Sequence, residues 1–135
     1  EKQYNLNDIS AIDKLVTFYS QSINKTSITK INKNNLIWRV NNKELDLKVD
    51  EFRCASGYFN EFKINNIDEI KNIIKRNYQT LSYFGVDKNK FESFFTKKRP
   101  LGIDRVVPIG KTLDFSLTWD GYDLINQMSR VINII

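Results

Sequence analysis

The sequence contains no histidine and only one cysteine, Cys54, among its 135 residues. Without histidine, the chain cannot build a Ser-His or Cys-His catalytic pair, a histidine-ligated metal site or a histidine pH switch from its own residues. One cysteine excludes an internal disulfide and a cysteine-rich zinc site, which favours a reducing, cytoplasmic setting. No apolar run reaches the roughly 18 residues that a membrane span requires, and no signal peptide opens the sequence.

Glycine and proline are also scarce, with five and two residues. The five glycines are isolated, and neither GxGxxG nor GxxxxGK[ST] occurs, so the sequence offers no glycine-rich loop for a nucleotide phosphate. The chain does contain 41% apolar and 13% aromatic residues and carries a formal charge of +5. That apolar content excludes a disordered chain, and the length fits one domain.

The first part of the chain predicts a helix and a hairpin. Apolar residues at spacings of three and four indicate one apolar helix face, and Asp8 or Ser10 is a suitable cap. Residues 24–34 are polar and predict a connector. Residues 35–40 and 45–49 have strand character, with a turn pair between them, and together predict a hairpin. The residues of the apolar face are Ile9, Ile12, Val16, Tyr19 and Ile23.

The central part predicts alternating strands and helices. Strands are expected at 57–64, 78–84 and 104–109. A helix follows Asn66, which forms a capping-box pattern with Glu69, and a second helix follows Asp87. The order β-α-β-α-β favours a three-stranded parallel core with helices packed on it, so the predicted fold class is α/β. The last segment predicts a loop and a C-terminal helix that begins near Tyr122 and is capped by Asp120.

Two groups of residues are candidates for chemistry or binding. Cys54 is the one strong nucleophile by type, but a lone cysteine among apolar residues is more often a small core residue, and we interpret it in this way. The basic cluster Lys97-Lys98-Arg99, with Lys88 and Lys90 nearby, suits phosphate groups of nucleic acid, coenzyme A or a dinucleotide. A solvated helix end explains the same charges and is the interpretation that we favour.

Three blocks near the end of the chain resemble one enzyme family. They are GIDRVVPIG (102–110), WDGYD (119–123) and Ser129-Arg130, and the stretch from Asn66 to Gly85 is similar as well. Together they resemble the C-terminal end of bacterial acyl-CoA reductases, the LuxC-like branch of the aldehyde dehydrogenase superfamily. The resemblance covers about residues 45–135; residues 1–44, a helix and connector, fit only by position. It implies one partial segment of an aldehyde-dehydrogenase-like catalytic domain.

The resemblance also implies an activity. Members of the family reduce a long-chain acyl-CoA to a fatty aldehyde with NADPH, through a cysteine thiolate that attacks the thioester. That cysteine and the dinucleotide-binding domain lie upstream of the matched region, so no catalytic residue is expected in this chain. The match to Glu51 implies a contact with the nicotinamide ribose. The matches to Trp119, Asp120, Gly121 and Tyr122 imply a wall of the substrate pocket.

Two other functions remain open from the residues. One is a small basic α/β module that binds phosphate-bearing ligands or nucleic acid, although no recognition-helix or RNA-binding motif is present and the leading prediction includes no nucleic-acid partner. The other is a structural or oligomerisation domain, favoured by the apolar C-terminal segment. The sequence leaves open the acyl chain length, the choice between NADPH and NADH, and whether Glu1 is a natural start.

Overall fold

The computed structural model describes residues 6–24, 28–31 and 34–135, which form a mixed α/β structure as predicted. The chain divides between Ile73 and Ile74 into two compact units. Among the described residues, no helix combines the length and the apolar character needed to cross a bilayer. The first unit contains α1 (Asp8–Asn24), β1 (Ile28–Ile31), β2 (Trp38–Asn42) and β3 (Tyr58–Phe62). The second unit contains β4 (Gln79–Tyr83), α2 (Lys88–Lys98), β5 (Ile103–Pro108), β6 (Thr118–Trp119), β7 (Tyr122–Asp123) and α3 (Leu124–Met128).

The first unit is a three-stranded sheet with α1 packed on it. The strand order is β1-β2-β3, with β1 antiparallel and β3 parallel to β2. Residues along β2 alternate between buried and exposed, as expected for a strand with one covered face. Trp38, Val40 and Tyr58 form the buried cluster, and Phe18 of α1 packs against it.

Apart from Phe18, helix α1 contacts the first unit through its polar side. Lys14 and Gln21 are fully buried, whereas the apolar residues predicted to share one face are 57–83% exposed. The Lys14 ammonium donates to three backbone carbonyls, those of Asn35, Leu36 (3.4 Å) and Ser56 (2.8 Å). The helix itself was predicted correctly, although Asn7 caps it: its side chain accepts from Ser10 N at 2.8 Å.

A buried network of amides continues this polar contact. Gln21 Nε2 donates to Asn42 Oδ1 (2.9 Å) and to Asn60 Oδ1 (2.7 Å). The hydroxyl of Tyr58 donates to Gln21 Oε1 at 2.7 Å. Asn60 Nδ2 in turn donates to the carbonyl of Phe52 at 3.2 Å. Because each buried polar group has a partner, the network fixes the position of α1 on β2 and β3.

The predicted hairpin is wrong. Strand β2 pairs with β1, which lies in the segment 24–34 that was predicted to be a polar connector. Residues 45–49 form no strand because Asp46 bends the chain: its side chain accepts from Lys48 N at 2.8 Å, and its carbonyl accepts from Val49 N at 3.2 Å. A short 3-10 helix, Val49–Phe52, follows directly.

The predicted parallel core is present only in its second half. Strands β4 and β5 pair in parallel across α2, and Asp87 caps α2 by accepting from Asn89 N at 3.0 Å. Strand β3, however, belongs to the sheet of β2, so the described strands form no three-stranded β3-β4-β5 sheet. The capping box of Asn66 and Glu69 is confirmed, but it begins a 3-10 helix of six residues, Ile67–Asn72. This is shorter than the helix predicted as the first crossover.

The C-terminal helix is shorter than predicted and has a different cap. It spans Leu124–Met128, and the carboxylate of Asp123 accepts from Ile125 N (3.0 Å) and Asn126 N (3.2 Å). Asp120, the predicted cap, instead lies in a hairpin turn with Gly121. The chain reverses at this turn, so the helix can begin only after β7.

Candidate functional site

Arg105 joins two of the blocks that carry the family resemblance. It lies on β5, within the block 102–110, and its guanidinium carbon is 4.3 Å from the ring centre of Trp119, in the block 119–123. The same guanidinium donates to the carbonyls of Thr112 (3.1 Å) and Asp114 (2.8 Å). A planar cation held in this way stacks on an indole and fixes the loop between the two blocks.

The turn of the candidate site is built from Asp120 and Gly121. Their φ values of 48° and 80° give the left-handed pair that suits a two-residue hairpin between β6 and β7. A Cβ on Gly121 would lie 3.1 Å from a carboxylate oxygen of Asp104, which directly precedes Arg105. The first residue and the middle of the block 119–123 therefore lie close to Arg105 and Asp104 of β5. A side chain at position 121 would strain the turn and crowd Asp104.

The exposed side of the hairpin offers aromatic surface. Trp119 is half-buried, its ring centre lies 5.1 Å from that of Phe115, and Tyr122 is 62% exposed. The carboxylate of Asp114 is paired with Lys111 at 3.0 Å. Such a surface suits contact with an apolar or planar ligand. We therefore interpret the group Arg105, Trp119, Asp120, Gly121 and Tyr122 as a preformed wall, and we call it the β5–hairpin site.

An apolar cleft lies elsewhere in the second unit, between α2 and the β4–β5 sheet. Its volume is about 420 Å³. The rings of Tyr83 and Phe91 contact each other in it, with their centres 4.8 Å apart and their planes tilted by 49°. The sequence pattern identified the aromatic face of α2 but not the cleft, because its depth depends on how α2 sits across β4 and β5. The lining residues are Tyr83, Lys88, Phe91, Glu92, Phe95, Thr96 and Val106.

Glu51, the residue matched to a ribose contact, lies in the first unit. It belongs to the 3-10 helix Val49–Phe52, its side chain is 59% exposed, and its carboxylate is 3.8 Å from the Lys48 ammonium. An exposed carboxylate can accept hydrogen bonds from the vicinal hydroxyls of a ribose, so the residue type fits that contact. The four matched residues of the hairpin lie in the second unit.

Cys54 lies against the buried cluster of the first unit. It is half-buried and packs on Trp38, Val40 and Tyr58. Burial raises the pKa of Tyr58 to about 12, and the nearby Cys54 adds a smaller electrostatic contribution. A cysteine nucleophile needs a base, a metal or a helix N-terminus beside it. The contacts of Cys54 are instead those of a core residue.

The predicted basic residues lie at opposite ends of α2. Lys97 and Lys98 lie in its last turn, and Arg99 ends it with φ 44°. Lys88 and Lys90 lie in its first turn, about 13 Å away along the axis. Cations at a helix C-terminus interact favourably with the helix dipole, which explains the cluster without a ligand.

Arg105 is the residue of the β5–hairpin site that the sequence did not single out. It lies in the quoted block 102–110, but its role depends on a loop that returns the chain to the same strand. Comparisons with protein-family models, with curated proteins and with solved structures found no match to the chain.

Proposed function

We propose that this chain is the C-terminal segment of an NADPH-dependent fatty acyl-CoA reductase of the LuxC-like kind. In this proposal, the catalytic cysteine and the dinucleotide-binding domain belong to another part of the enzyme. The observation that supports it is the contact between the blocks 102–110 and 119–123, which are separate in sequence and meet through Arg105 and Trp119. Blocks that carry one family's pattern and also form one site favour a shared function over a chance similarity.

Within this proposal, the residues of this chain shape the substrate and cofactor sites. Trp119 and Tyr122 form a wall beside the acyl thioester, and Arg105 holds that wall by stacking and by two carbonyl contacts. Glu51 accepts hydrogen bonds from the nicotinamide ribose. NADPH supplies the hydride when bound. Since the chain has no glycine-rich phosphate loop, other parts of the enzyme hold the pyrophosphate.

The test uses the complete reading frame that encodes this chain. We expect its product to oxidise NADPH in the presence of a long-chain acyl-CoA such as palmitoyl-CoA, and the 135-residue chain alone to show no turnover. Trp119→Leu should raise KM for the acyl-CoA about tenfold and change kcat less, because it removes binding surface. Cys54→Ser is the matched control and should leave the activity unchanged.

Two results would contradict the proposal. One is a complete product that oxidises no NADPH with any acyl-CoA. The other is turnover by the isolated chain that Cys54→Ser abolishes. Salt-sensitive phosphate binding that is lost when Lys97, Lys98 and Arg99 are neutralised together would instead favour the basic binding module.

A further inference from the structure

The exposed side of α1 has the residue pattern of a helix-pairing seam. Its apolar residues fall at positions a and d of a heptad, with isoleucine or valine at every a position. Lys14 and Gln21 occupy position f, about 170° around the helix from the centre of that seam. The residues at a are Ile9, Val16 and Ile23, and those at d are Ile12 and Tyr19.

We propose that this seam pairs with the seam of a second copy of the chain. The five side chains are 57–83% exposed. With full areas of roughly 150–200 Å² each, they offer at most about 550 Å² per copy and about 1,100 Å² per pair. A specific interface needs about 1,000 Å² in total, so the seam alone reaches that size. Branched residues at the a positions are typical of two-helix pairs.

The charges beside the seam favour a helix over a lipid surface as the occupant. Asp8 and Asp13 are the exposed charged residues of α1, and the one lysine of the helix is buried. A helix that binds an anionic membrane carries lysine or arginine on its polar face. The acidic flank of α1 is repelled by such a surface, whereas it tolerates a neutral helix neighbour.

The same charges set the orientation of the pair. A parallel arrangement places Asp8, at position g, beside Asp13, at position e, of the other copy. An antiparallel arrangement centred on Val16 places Asp8 beside Ser22 and Asp13 beside Ser20 of the other copy, and it removes this repulsion. The pair is therefore antiparallel.

Sedimentation of the 135-residue chain over a range of concentrations tests the pairing. We expect a reversible dimer, and Val16→Asp should weaken dimerisation about 100-fold by placing a charge in the seam. Leu113→Asp is the matched control, because Leu113 is 91% exposed outside α1, and it should leave the dimer intact. Circular dichroism of each variant shows whether α1 is retained.

The proposal is overturned if the wild-type chain sediments as a monomer throughout, or if Val16→Asp dimerises as well as wild type with its helix retained. Co-sedimentation of the monomer with phosphatidylserine vesicles would overturn it in favour of a lipid surface.

The orientation of the two helices is measured with spin labels in a Cys54→Ser background. In an antiparallel pair, two labels at Asn24→Cys are offset along the helix axis by about 20 Å more than two labels at Thr17→Cys, so their distance is clearly longer. Equal distances would contradict the antiparallel arrangement.

Discussion

The hydroxyl of Tyr58 is expected to stabilise the first unit by about 2 kcal/mol through one hydrogen bond. Tyr58→Phe removes the donor to Gln21 Oε1, which is 2.7 Å away in a fully buried amide. A neutral hydrogen bond contributes about 1 kcal/mol net, and an acceptor left buried costs a further 1–3 kcal/mol or so. Phenylalanine fills the same space as the ring, so a cavity adds little to the loss.

The pH dependence of the free energy of unfolding provides a second test of Tyr58. Tyr58 has a pKa of about 12 in the folded chain, compared with about 10 in an unfolded chain. The folded state thus holds this proton more tightly than the unfolded state does. The contribution of the protonated hydroxyl to the free energy of unfolding is complete below about pH 10, and it is lost as the pH rises from about 10 to about 12. Two pKa units correspond to at most about 2.7 kcal/mol, and this shift comes chiefly from the cost of burying the charged phenolate.

The assay is urea denaturation followed by the fluorescence of Trp38, in a Trp119→Phe background so that only the first unit is observed. At about pH 8 we expect the free energy of unfolding of Tyr58→Phe to be about 2 kcal/mol lower than that of its parent. Near pH 12 the two free energies should converge. Tyr122→Phe, at a 62% exposed site, is the control and should change little. A difference that stays constant across this pH range would refute the reasoning, as would no difference at about pH 8.

Two further substitutions test the packing of each unit. Lys14→Met keeps the apolar stem but removes the donor to three carbonyls. In urea denaturation it should lower the free energy of unfolding by about 2–4 kcal/mol. Lys111→Met at the surface is the control and should lower it by less than about 1 kcal/mol. Gly102→Ala places a Cβ against the backbone of Lys75 at φ +114° and should cost about 3 kcal/mol or more, by Trp119 fluorescence. Gly110→Ala, at φ +90° with open space around it, should cost about 1 kcal/mol, and an equal loss at both glycines would contradict the clash.

Signals that act within a few residues predicted the elements well. The periodicity of α1, the capping box of Asn66 and Glu69, and the Asp87 cap of α2 each depend on neighbours within one or two turns. The parallel pairing of β4 and β5 followed from the helix between them, since a crossover of this length favours a parallel neighbour.

Pairing between distant segments could not be predicted in the same way. Strand β1 lies in a polar stretch, and its pairing with β2 provides hydrogen bonds that no local pattern indicates. The Asp46 turn replaces a strand because one side chain accepts from the backbone two residues on. At the candidate site, Asp120 was predicted to cap the last helix, but which aspartate caps α3 depends on the reversal that β6 and β7 complete.

The orientation of α1 shows why an amphipathic pattern alone does not identify the buried face. Turning the helix by half a revolution would bury the seam, but it would remove Lys14 from its three carbonyls and Gln21 from Asn42 and Asn60. Those buried acceptors would lose their donors at about 1–3 kcal/mol each, and the loss grows with their number. The sheet therefore holds the polar side of α1 by directional bonds. The apolar side can be buried without directional bonds, and it remains exposed to a partner surface that matches its heptad spacing.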